Sequence, residues 1–381
     1  MIDIHNFEEI RPYEDHEVCT LVEKVLSLPF YESLAKRFFP NQDPDLLKEA
    51  FKGIDTIYGF QTRVIYPIIK KIIADTSTGL SQNGFKRLEN DIPYLFISNH
   101  HDIILDPSIL NIILYEKGFN TTKVAIGDNL MRKEWIRDLA RLNKSFIVHR
   151  TPSVKESYYY SQRLSNYIKK TIIDNQDSIW IAQREGRAKD GNDITQVSLL
   201  KMLAYGGDED KFEYLKSLNF LPTAISYEYD PCDILKVKES LAKEKNIHYE
   251  KTEKEDEISM VTGLTGFKGR IHVSLGNLIY TEFDDIMHHD TPKEQFSSLA
   301  ATIDEQIQRN IKLWPTNYIA YDLLMNISSF KREYSEEDRI KFTHYIESRL
   351  ENNQLFDEES RMRLLSIYAN PVKNKVRFTN F

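Results

Sequence analysis

Cysteine is scarce. Cys19 and Cys232 are the two in 381 residues, over 200 positions apart, which excludes a disulfide framework and a thiolate metal cluster and points to a reducing cytoplasm. An excess of positive charge is also missing. Lys and Arg number 50 against 58 Asp and Glu, a formal net charge of −8. A nucleic-acid partner would need the opposite balance, so none is expected, and any anionic ligand must be met by a local cluster. Long hydrophobic runs are lacking too. Ile103 to Leu105 and Ser108 to Tyr115, broken by Asn111, are the longest, far below the roughly 18 residues that cross a bilayer. The opening stretch from Met1 to Glu9 is acidic and has no basic or apolar region of the secretory kind.

What is present is an ordinary soluble mixture, 41% hydrophobic and 28% charged, in a chain long enough for two or three domains at about 150 residues each. Residues 1–84 read as a helical domain, because Val18, Leu21, Val22, Val25 and Leu26, then Phe60, Val64, Ile68, Ile69 and Ile72, recur at three-to-four spacing. Pro29, Pro40 and Pro44 punctuate it, and the turn-forming run Asp75 to Gly79 marks its end.

Residues 85–285 change pattern. Short apolar runs at Tyr94 to Ile97, Val124 to Ile126, Phe146 to Val148, Ile179 to Ala182, Ala224 to Tyr229 and Ile271 to Leu275 alternate with amphipathic stretches at Pro107 to Lys117, Lys133 to Leu142 and Val154 to Ile173. Alternation of this kind predicts an α/β fold: a mixed, mostly parallel sheet flanked by helices. Residues 236–258, dense in Lys and Glu, read as a solvated surface insertion. Residues 286–381 form a C-terminal helical region, with Leu299, Ile303, Ile307 and Ile311 in register. The alternating apolar and basic run Val372 to Phe378 reads as a frayed or edge-pairing tail, or as a contact with a membrane surface. Phe60 to Ile73 reads as a core helix, and it is also the best candidate for peripheral membrane contact.

Chemistry concentrates where predicted strands end, the place where α/β folds bind ligands. Ser98-Asn99-His100-His101-Asp102 runs into Asp106-Pro107. A histidine is easily poised near neutral pH, and a buried carboxylate on one ring nitrogen leaves the other free to accept a proton. His101 and Asp106 suit that pairing, provided a turn brings them together. Asp106 is equally placed to cap a helix starting at Pro107, and His100, His101, Asp102 and Asp106 have the chemistry of metal ligands. A second block, Arg184-Glu185-Gly186-Arg187-Ala188-Lys189, concentrates positive charge in an acidic chain and suits phosphate oxygens; Gly186 permits close backbone approach or a positive φ. A third joins Gly127-Asp128-Asn129-Leu130 to the strand end His149-Arg150, where a buried arginine needs a partner. The fourth, Leu221 to Glu228, is mostly core strand.

In order and context the four blocks resemble the glycerolipid acyltransferases, with their His-x4-Asp motif, arginine-ended strand, Glu-Gly block and proline-led strand. Gly127 to Leu130, Tyr227-Glu228 and the strand Gly269 to Gly276 are most similar to the glycerol-3-phosphate acyltransferase branch. The resemblance implies that His101 is the general base and Asp106 its orienting partner. Arg150 and Arg187 would bind the acceptor phosphate, Glu185 and Gly186 would shape the acceptor site, and Asn99, Asp102, His149, Arg184 and Lys189 are candidates for secondary roles. Asp102 stands where the family usually has Arg or Asn, adding negative charge beside the base. Amides near residues 107–109 would meet the oxyanion.

The implied activity is transfer of a fatty acyl group from acyl carrier protein or coenzyme A to glycerol 3-phosphate, with neither a cofactor nor a metal, in the cytoplasm or peripherally on the inner face of the membrane. Lysophosphatidate or another hydroxyl or amine acceptor, a metal-dependent hydrolase, and a non-catalytic acyl-lipid binding protein are the alternatives.

Overall fold

A computed structural model describes residues 3–28, 32, 36, 43–150, 153–207, 210–246, 249 and 252–379. Pro29 and Pro40 lie outside the described residues.

Among the described residues seven strands form one sheet: β1 (Gly79–Asn83), β2 (Leu95–Ser98), β3 (Lys123–Gly127), β4 (Ser145–Val148), β5 (Ile179–Ala182), β6 (Phe220–Tyr227) and β7 (Arg270–Leu275). Their order is β1-β7-β6-β2-β5-β3-β4. Each neighbouring pair is parallel except β6 with β7. This is the mixed, mostly parallel α/β sheet that the alternating pattern predicts. Strands β2, β5 and β6 are apolar on both faces because helices cover both. Leu95, Ile97, Ile179, Ile181 and Phe220 enter one core, while Phe96, Trp180, Leu221 and Ile225 enter the other, as the alternation of side chains along a strand requires. Each such buried side chain contributes about 1.5–3 kcal/mol.

Register positions the site. Ser98 is level with Ala182 on one side and Thr223 on the other. The residues that follow β2 and β5, Asn99 and Gln183, therefore leave the sheet together. The Gln183 amide donates to the Ser98 carbonyl at 2.8 Å.

Three expectations change. β1 lies inside the segment read as wholly helical; Gly-Leu-Ser-Gln-Asn has no apolar alternation and is an exposed edge strand held by backbone pairing with β7. In the C-terminal helical region, Leu299, Ile303 and Ile307 of the helix Pro292–Asn310 pack into the sheet core. Residues 236–258 are not simply solvated. Their first part belongs to the helix Asp233–Lys245, where Val237 packs in a third core beneath the helix Glu358–Thr379 and the buried Lys236 ammonium pairs with Asp230. Val372 to Phe378 is neither frayed nor edge-paired: it forms the last turns of Glu358–Thr379, where Lys375 Nζ donates to the Ile311 carbonyl at 2.6 Å. Among the described residues no helix is long and apolar enough to cross a membrane.

Candidate active site at the carboxyl ends of β2 and β5

Asp106 is fully buried in the first turn of the helix Leu105–Glu116 and gathers the turn around itself. Its Oδ2 accepts the His101 amide at 2.6 Å, the Asp102 amide at 3.0 Å and the His100 Nδ1 at 2.8 Å. Tyr227 donates its hydroxyl to Oδ1 at 2.9 Å. Burial pushes the Asp106 carboxyl up, but the hydrogen bond and charge of His100 outweigh it and hold the group below the usual carboxylate range. An ionised carboxylate accepts, so His100 donates to it from Nδ1 and its Nε2 is left on the far side of the ring. Trp180 packs edge-on against the His100 ring, with centroids 5.5 Å apart, and donates its own N–H to Ser98 Oγ at 2.9 Å.

The ring that Asp106 holds is therefore that of His100, not that of His101, which offers Asp106 only its backbone N–H. The reason lies in the neighbours. Asn99 exchanges two hydrogen bonds with the Ile225 backbone, at 2.9 and 2.8 Å, which fixes its amide. The same Nδ2 stands 2.9 Å from His101 Nε2, with Asp193 Oδ2 at 3.5 Å. His101 is thus turned toward Asn99 and Asp193 and away from the Asp106 carboxylate. Asp193 had no sequence signal of its own. It lies in the loop after the basic block, and tertiary packing brings it to His101.

The helix start is capped, but by Asp102 and not by Asp106. Asp102 Oδ1 accepts the amides of Ile104 and Leu105 at 2.9 and 2.7 Å. Burial, then the nearby Asp106, pushes the Asp102 carboxyl up. The expected oxyanion amides do not suit that role, because Pro107 has no N–H and the Ser108 amide bonds the Ile104 carbonyl at 3.4 Å. Of the four side chains with metal-ligand chemistry, His100 and Asp106 face each other, His101 faces Asn99 and Asp193, and Asp102 faces the helix start. Among the described residues no group of three or more His, Cys, Asp or Glu is arranged to hold a metal ion.

The basic turn after β5 comes to the same place. The Ala188 amide reaches the His100 carbonyl at 3.3 Å. Arg187 is buried, and its Nη1 has no hydrogen-bond partner among the described residues. Burial works against its charge, yet Cys232, Asp102 and Asp230 outweigh that and its pKa is raised. Lys189 pairs with Glu239 at 3.0 Å, and burial, then the neighbouring Arg187, lowers its pKa to about 7. Gly186 takes a φ of 67°, the positive value a glycine permits, with no close backbone approach. Arg184 turns back on its own loop, its Nη1 3.4 Å from the Asn192 carbonyl.

Arg150 and Glu185 also meet, with Nε and Oε1 3.3 Å apart. Gly127 leaves room for them, since a Cβ would stand 2.7 Å from Asn129 Oδ1 and 2.9 Å from Arg150 Nε and make those side chains shift. His149 is not brought to the Asp106 cluster. It faces Asp128 at 3.2 Å and Glu9 at 3.5 Å and packs on Tyr160.

Beside the turn lies an apolar cavity of about 310 Å³. Its lining starts at Ile103 and Ile104 and continues through Val124, Ile126, Phe60, Val64, Met260 and Leu264.

Residues 81–198 match the protein-family model described as Acyltransferase. The match covers less than a third of the chain. It includes the end of β1, all of β2 to β5, both histidines, Asp106, Arg150, the basic turn and Asp193. No curated protein matches the chain. Among solved structures, the chain is similar to the 1-acyl-sn-glycerophosphate (LPA) acyltransferase PlsC from Thermotoga maritima, at 10% identity over 77% of this chain and 94% of that one, with a TM-score of 0.37. At that score the likeness carries no argument about this chain.

Proposed function

We propose that this protein is an acyltransferase of the glycerolipid family that moves a fatty acyl group from a thioester to the hydroxyl of glycerol 3-phosphate, with His100 as the general base. One observation carries the reading: the 2.8 Å contact between His100 Nδ1 and the buried Asp106 leaves Nε2 free, inside the segment that matches the acyltransferase model. The base takes the proton of the acceptor hydroxyl as its oxygen attacks the thioester carbonyl. The tetrahedral intermediate then expels the thiolate as the C–S bond breaks, and the imidazolium returns the proton to sulfur. Such positioned proton transfer contributes about 10²–10⁴-fold in rate.

The apolar cavity beside Ile103 and Ile104 suits the acyl chain. The unpartnered Nη1 of Arg187, with Lys189 and Arg150 on neighbouring turns, suits the phosphate of the acceptor. The donor is acyl carrier protein or coenzyme A, and the place of action is the cytoplasm, at the inner face of the membrane that receives the product.

The test is incubation of the purified chain with palmitoyl thioesters of both carriers, with glycerol 3-phosphate, lysophosphatidate or no acceptor, following free thiol and lipid product. Release that requires glycerol 3-phosphate supports the proposal. Release that requires lysophosphatidate moves the acceptor one step along. Release without any acceptor indicates a hydrolase, and absence of release with every acceptor overturns the reading.

A further inference from the structure

The apolar cavity is not apolar throughout. On the side of the helix Leu105–Glu116 it meets a second cavity of about 240 Å³, and the two share Ser108, Asn111, Asn143 and Ile65 in their linings. Beyond that junction the second cavity is still mostly apolar, with Tyr66 and Phe119 in its lining, but it also carries the polar side chains of Gln61, Thr121 and Lys144.

The two junction amides are oriented by firm contacts. Asn111 Oδ1 accepts the Thr122 amide at 2.8 Å and the Thr122 hydroxyl at 3.0 Å. Asn143 Oδ1 accepts Gln61 Nε2 at 3.1 Å. With both oxygens committed, each Nδ2 points elsewhere, and neither donates a hydrogen bond to any described residue. Asn111 is more than nine-tenths buried. A plain methylene chain lying over these donors would strip them of water and return nothing, which costs about 1–3 kcal/mol for each buried donor left unmade.

We infer that the acyl chain taken by this site carries an oxygen function part-way along its length, a hydroxyl that accepts from the Asn111 and Asn143 amides at the junction. The inference rests on the acyl-transfer reading for the placement of the thioester beside Ile104. At 1.5 Å per helical residue, the seven residues from Ile104 to Asn111 span about 10 Å. An extended chain advances roughly 1.3 Å per carbon, given C–C bonds of about 1.5 Å, so the junction lies about eight carbons from the thioester end. The hydroxyl therefore belongs mid-chain, not beside the carbonyl.

The experiment compares octadecanoyl-, 3-hydroxyoctadecanoyl- and 10-hydroxyoctadecanoyl-coenzyme A as donors. In parallel, binding of the corresponding free acids is followed by tryptophan fluorescence, since Trp135 lines the apolar cavity. The mid-chain hydroxyl is expected to be preferred about tenfold in kcat/KM and in Kd, because a site built around a hydroxyl discriminates against the analogue lacking it. Asn143→Leu and, separately, Asn111→Leu bring that ratio below about twofold, by improving the plain chain and weakening the hydroxylated one. Equal use of plain and 10-hydroxy chains, a preference for the 3-hydroxy chain, or a ratio untouched by both substitutions overturns the inference. A tenfold Kd preference without thiol release from any donor keeps the inference and removes the acyl-transfer reading.

Discussion

Gly263 offers a direct test of how the candidate site is held. It sits in the helix Glu253–Thr265, and a Cβ built there would stand 2.0 Å from Asp102 Oδ2 and 3.0 Å from Asp102 Cγ. Asp102 cannot retreat freely, because its Oδ1 holds the amides of Ile104 and Leu105 at the start of the helix that carries Asp106. Gly263→Ala therefore forces a choice between shifting a helix and releasing the cap. Overpacking of this kind costs about 1–3 kcal/mol, and releasing the cap instead leaves buried amides unmade, which also costs about 1–3 kcal/mol. A gain of about 0.5–1 kcal/mol from replacing glycine inside a helix offsets part of that. The expected net loss is about 1–2 kcal/mol, read as a fall in the midpoint of urea unfolding at constant slope. Asp102→Ala removes the obstacle, so in that background the same Gly263→Ala becomes neutral or slightly stabilising. The coupling in the double-mutant cycle then equals nearly the whole cost. A neutral Gly263→Ala in the otherwise unchanged chain, or an equal loss in both backgrounds, would refute the contact.

Two further predictions follow from the basic turn. Lys189 has its pKa lowered to about 7, so its ammonium is present below that pH and lost above it. The Kd for glycerol 3-phosphate should weaken by roughly tenfold as pH rises from 6.5 to 8.5, the loss of one charged hydrogen bond. Lys189→Met should flatten that dependence in titration calorimetry, and an equally steep profile in the variant contradicts the assignment. Gly191, at a φ of 73°, lies against the C-terminal helix, where a Cβ would stand 2.3 Å from the Ile367 carbonyl oxygen. Gly191→Ala should lower Tm and cost about 2–4 kcal/mol through backbone strain and overpacking; an unchanged Tm would show that the helix does not brace the turn.

The buried strands were readable because continuous apolar runs such as Ile179 to Ala182 have few other places to go. β1 was not, since its five residues are held by pairing with β7, about 190 positions away, and carry no periodic signal. The His and Asp of the candidate site were equally visible, and so was their need for a turn. Which of two adjacent histidines meets Asp106 was not legible. The spacing rule favours His101, but the outcome depends on Asn99 being clamped to Ile225 and on Asp193, contacts that span about 90 to 130 positions. The burial of Lys236 was hidden for a similar reason: a Lys- and Glu-rich stretch looks solvated until Asp230 and the C-terminal helices are placed around it.

The base assignment is tested most directly by comparing His100→Ala with His101→Ala in acceptor-dependent thiol release under single-turnover conditions. With His100 as the base, its removal lowers the rate of the chemical step by about 10²–10⁴-fold, while His101→Ala retains the greater part of it and the pH dependence of the unchanged chain. A larger loss in His101→Ala than in His100→Ala would contradict the account and return the base to the residue that the His-x4-Asp spacing picks out.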